Sequence, residues 1–159
     1  MTRIVSAALA GGLAAGALDI AYAFIVFGFR GVSPVTILQS VASGVLGRPA
    51  YQGGAGAAAL GAALHFGMAV VMALAFALLA RLAPLVLRRP IAAGVAYGLV
   101  IFGVMYFVVV PLSAAYPGNV PQGWLLAGSL MAHTALVGVP IALIAARVLR
   151  QAPDPASAI

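Results

Sequence analysis

Four apolar stretches dominate this chain: about Ile4 to Phe29, Gly56 to Leu82, Ile91 to Ala115 and Trp124 to Leu149. Each holds roughly 25 residues, or about 37 Å of helix, which exceeds the ~30 Å hydrocarbon core of a bilayer. Backbone groups in lipid must bond within their own segment, so these stretches predict tilted transmembrane helices rather than strands. Charge is correspondingly scarce. Among 159 residues there are eight Arg against Asp19 and Asp154, with no Lys, Glu or Cys. A water-soluble domain carries roughly 25% charged residues, and this chain carries 6%. That balance excludes a soluble enzyme, a disordered chain and a disulfide scaffold. Without Cys there is also no thiolate metal site and no cysteine nucleophile.

The breakers fall between the stretches, with Pro84 and Pro90 in one loop and Pro117, Gly118 and Pro121 in another. With four spans, Arg3, Arg81, Arg88, Arg89, Arg147 and Arg150 share the side of both termini, whereas Arg30 and Arg48 lie opposite. The positive-inside rule then puts both termini in the cytoplasm and Tyr51, Tyr116 and Trp124 near the outer interface. Arg at span ends is how a membrane protein is oriented, so the net charge of +6 does not point to nucleic acid; the partner is the lipid bilayer. Arg3 followed by Ala21-Tyr22-Ala23 has the outline of a cleaved signal. The apolar run through Phe29 is longer than a signal core, and the first span is read as retained.

Ser33-Pro34 is a helix start, with Ser as cap and Pro at the first helical position. Val35, Leu38, Val41, Ala42 and Val45 recur at helical spacing, with Thr36, Gln39, Ser40 and Ser43 on the other side. This predicts a short amphipathic helix in the first outer loop, ending at Gly47-Arg48-Pro49. It covers the bundle end as an interfacial helix or, in a sharper reading, forms a lid or re-entrant segment over a cavity. Residues 151–159 read as a disordered tail after a single four-helix domain spanning 1–150. Gly12 with Gly16, and Gly94 with Gly98, are small-xxx-small pairs that let helices approach closely, within the monomer or as a homo-oligomer seam. Pro140 and Pro111 lie inside spans and free the carbonyls of Leu136 and Phe107.

Three ionisable residues lie within spans: Asp19, His65 and His133. Counted from the outer helix ends, all three sit roughly 14–15 Å deep, and Tyr106 joins the same layer. Gly12 and Gly16 share a face with Asp19, Gly61 precedes His65 by one turn, and Ser129 precedes His133 by one turn, so these faces point inward. An intramembrane Asp is costly, and an Asp19–His contact eases the cost for both groups. The layer reads in four ways: a structural Asp–His pairing, proton- or ion-linked transport, bis-His haem ligation by His65 and His133 in an electron carrier, or a divalent metal held by Asp19, His65 and His133. No enzyme pattern stands out. Ser129, His133 and Asp19 lack an oxyanion hole, and there is neither a phosphate loop nor an HExxH motif, so no catalytic residue is assigned.

Several strings carry a family resemblance: Gly11-Gly12-Leu13-Ala14-Ala15-Gly16 through Asp19, Gln39-Ser40-Val41-Ala42-Ser43-Gly44-Val45-Leu46-Gly47, Leu64-His65-Phe66 and Val110-Pro111-Leu112-Ser113. Together they resemble a family of small, uncharacterised four-span bacterial inner-membrane proteins. The span pattern and a His in a Gly-rich helix are also similar to the YagU-type inner-membrane proteins linked to acid resistance. The first resemblance implies a bacterial inner-membrane location and no catalytic residue; the second implies a proton-related role.

Overall fold

The computed structural model describes residues 1–115 and 121–150. These residues form five longer helices, two short 3₁₀ helices (Arg48–Gln52 and Pro84–Leu87) and no strand; the longer ones are α1 (Thr2–Gly28), α2 (Pro34–Leu46), α3 (Gly54–Leu82), α4 (Pro90–Leu112) and α5 (Trp124–Arg150). All but α2 are long and apolar enough to cross a membrane, so the fold is an all-α, multi-pass four-helix bundle. The expected spans hold to within about three residues. The third stops at Leu112 rather than Ala115. Pro111 weakens its last turn, and Ser113 turns extended, donating its hydroxyl to the Val110 carbonyl while accepting from the Ala115 N–H. Tyr116 and the 151–159 tail lie outside the described residues.

Glycine sets the helix pairing. A Cβ at Gly12 would strike the backbone of Val70, and one at Gly16 would lie 2.8 Å from the Phe66 ring, so α1 and α3 meet nearly backbone to backbone. Likewise, Gly94 faces the Gly138 and Val139 backbone, and Gly98 faces that of His133 and Thr134. In lipid, where water exclusion does not drive helices together, close packing of this kind is the main attraction. The two glycine faces that the sequence offers to a second copy are thus covered by helices of the same chain.

The close neighbours are α1 with α3 and α5, and α4 with α5. Near the Ala83–Arg89 connection, α3 and α4 are tied by the Tyr97 hydroxyl, which donates to the Met72 carbonyl at 2.7 Å, and by the Phe76–Tyr97 ring contact. This half of the bundle is filled: Ala73, Phe76, Ala80, Leu87, Ile141 and Ala145 form a buried core. Toward the opposite end α2 packs mainly on α3. The Ser33 cap is as expected, with its Oγ accepting from the Thr36 N–H at 3.1 Å. The face that α2 buries is not. Gln39 and Ser43 are only 6% and 4% exposed, whereas Val35 and Val45 are 47% and 62% exposed. These polar side chains can turn inward because each has a carbonyl to bond: Gln39 donates to Gly54 and Ser43 to Ser40. Apolar Val35 and Val45 suffer nothing by facing out if the surroundings are acyl chains.

Candidate functional site

Between the buried core and α2 the four spans line a partly open cavity of about 490 Å³. Asp19 from α1, His65 from α3, Tyr106 from α4 and His133 from α5 all line it. One turn of helix explains each placement. Gly16 lies three residues before Asp19 and gives α3 its close approach, which brings the next turn of α1 beside His65. The same glycine leaves its carbonyl reachable: His65 Nε2–H donates to Gly16 O at 2.8 Å across the α1–α3 contact. When the imidazole is neutral this bond fixes the tautomer, leaving Nδ1 as the acceptor.

Tyr106 and His133 lie on two wide turns. Met105–Val109 in α4 and Ala132–Gly138 in α5 are π-helical. The Val110 N–H reaches back five residues to Met105 O, and the Val139 N–H reaches Thr134 O. Each wide turn ends just before an intrahelical proline, Pro111 or Pro140. Proline removes the N–H that would complete the normal ladder and crowds the carbonyl one turn earlier, and loosening that turn relieves the crowding. Side chains then satisfy nearby carbonyls: His133 Nδ1–H donates to Ser129 O at 2.8 Å and Thr134 Oγ1 to Leu130 O at 2.7 Å. Ser129 Oγ lies 3.2 Å from the Tyr106 hydroxyl. Phe102 braces the group, with its ring 4.7 Å from Tyr106 and edge-on to His133 at 5.6 Å. π-Turns inside α-helices are frequent at functional sites.

Asp19 departs from the sequence expectation. The Asp–His contact that would ease its cost is not made; both histidines bond to backbone carbonyls, and Asp19 has no hydrogen bond or ion pair among the described residues. Nor is it sealed: no polar side-chain atom among them is both buried and unbonded, so the carboxylate opens onto the cavity. The residues also do not form a metal-holding cluster; no group of three His, Asp, Glu or Cys among the described residues is placed to hold an ion. A haem would have to take His65 through Nδ1, the ring nitrogen next to its own Cβ, because Nε2 is engaged.

Sequence reasoning missed the methionines of the lining. Met68 and Met72 follow His65 at three and seven residues, on the same helical face, and Met105 faces them from α4. That periodicity is legible in hindsight. Ser40 and Gly44 of α2 roof the cavity, and α2 is held over it from both sides. On α3, a Cβ at Gly61 would strike the Leu38 carbonyl; on the α4 side the Ala114 N–H donates to Gly44 O at 2.9 Å. At the same end of the bundle Arg30 lies 5.9 Å over the Trp124 ring, a cation–π contact tying the end of α1 to the start of α5. No family model, curated protein or solved structure matches the chain.

Proposed function

We propose that this protein is a small carrier of the bacterial inner membrane, with both termini in the cytoplasm, and that it couples movement of a solute to protons through Asp19, His65 and His133. One observation carries the reading. Four polar groups from four different spans face one cavity, and Asp19 is left without a partner there. A purely structural role for Asp19 would require it to bond a neighbouring helix. Here the helices are held by glycine contacts instead, and a carboxyl kept at a cost in mid-membrane is available for protons. Each histidine also keeps one ring nitrogen outside the hydrogen bonds that fix its orientation. Six Arg on the side of the termini against two on the other support the orientation. The role assigned is binding and proton exchange, not covalent catalysis. The test is proton flux in vesicles carrying the purified chain and a lumenal pH dye, measured with a panel of small charged and neutral organic solutes added outside. The carrier reading expects flux above that of empty vesicles and its loss in Asp19→Asn. Equal flux in both proteins would overturn it.

A further inference from the structure

We infer that the solute exchanged for protons is a monovalent, amphiphilic organic cation, held in the α1–α3–α4–α5 cavity with Asp19 as its counter-charge. The inference rests on the carrier reading and names its substrate class. Three features point the same way. First is size: about 490 Å³ is the volume of a pocket for a small organic molecule and far more than a lone ion fills. Second is charge. Asp19 is the sole acidic residue among the described ones, and no Arg lines the cavity. An ionised Asp19 therefore gives the cavity one negative charge, which a single positive charge neutralises in a medium where an unbalanced charge is costly. The groups facing it from the other spans are His65, Tyr106 and His133.

Third is the character of the walls. Met68, Met72 and Met105 are long, polarisable side chains without branched carbons, and such side chains repack around ligands of varied shape. The Tyr106 ring, braced by Phe102, lines the same cavity, and aromatic rings attract cations. A metal ion would need ligands converging on one point, and His65 has already given Nε2 to Gly16. A neutral apolar solute would give Asp19 nothing to bind. Proton and cation compete for one carboxylate, so each leaves as the other arrives, and the exchange balances charge without any covalent step.

Tetraphenylphosphonium is the probe, with triphenylphosphine oxide as its neutral analogue. Calorimetry on the purified full chain should show the cation binding and the neutral analogue not. Asp19→Asn should weaken the cation by about thirty-fold or more, the usual cost of removing one partner of a close charge pair, while Asp19→Glu retains binding. In vesicles an imposed proton gradient should drive tetraphenylphosphonium transport by the wild type only. Equal affinity for the neutral analogue, or undiminished cation binding in a folded Asp19→Asn, would overturn the inference. So would an absence of binding where Asp19-dependent proton flux is intact, and that result would leave the carrier reading standing. Cation binding without any Asp19-dependent proton flux would instead overturn the proton coupling.

Discussion

Replacing Gly98 by Ala tests the claim that glycine contacts, rather than polar bonds, hold the bundle together. A methyl built on Gly98 falls 2.5 Å from Thr134 Cα and strikes the His133 carbonyl. Carbon atoms rest about 3.5–4.0 Å apart, so α4 and α5 must separate by roughly 1 Å. Neither obstacle is a flexible side-chain end; both are backbone of the π-turn. Overpacking against a rigid neighbour costs about 1–3 kcal/mol, and the upper half of that range applies here. Gly103 is the internal control. It lies five residues along the same helix with nothing within 4 Å of its would-be Cβ. Gly103→Ala should be neutral or stabilising by up to about 1 kcal/mol, as expected when backbone freedom in a helix is reduced. Unfolding in mixed micelles, followed by helical circular dichroism and Trp124 fluorescence, reads both variants. A difference of about 2 kcal/mol corresponds to roughly thirty-fold in the folded-to-unfolded ratio. If Gly98→Ala and Gly103→Ala unfold alike, the α4–α5 contact is not what holds this half of the bundle.

Other outcomes are expected from the same contacts. Gly61→Ala should lift α2 off α3, because the new methyl meets the Leu38 carbonyl; amide exchange over Pro34–Leu46 should speed while the spans stay protected. Ser33→Ala removes the α2 cap and should weaken that helix by about 1 kcal/mol, read in the same exchange experiment. Tyr97→Phe removes the donor to Met72 O and should cost about 1 kcal/mol in the mixed-micelle assay without changing proton flux, since Tyr97 lies outside the cavity.

Much of this architecture is legible in the residues. Length and hydropathy define the spans, since a bilayer imposes one period and one thickness on every helix that crosses it. The Ser33-Pro34 start is local chemistry and is found where the sequence puts it. Counting from helix ends brings Asp19, His65, Tyr106 and His133 to one cavity, because helical rise is constant. What the residues do not disclose is pairing across helices. His65 could bond Asp19 or a backbone carbonyl, and the choice turns on how closely Gly16 lets α3 approach. The buried face of α2 misleads for a related reason. Hydropathy assumes water on the exposed side and unsatisfied polar groups on the buried side, and neither holds where Gln39 and Ser43 find carbonyls. The π-turns at Tyr106 and His133 follow from Pro111 and Pro140, but proline announces only a disturbed helix, not which way the ladder relaxes.

The central claim is that Asp19 is an uncommitted carboxyl that exchanges protons with the cavity. Infrared difference spectroscopy of the protein in lipid, on stepping the bulk pH, observes that carboxyl directly. A carbonyl-stretch band that grows on acidification in the wild type and is missing from Asp19→Asn is the predicted result. A carboxyl region identical in the two proteins, with both folded, would contradict it.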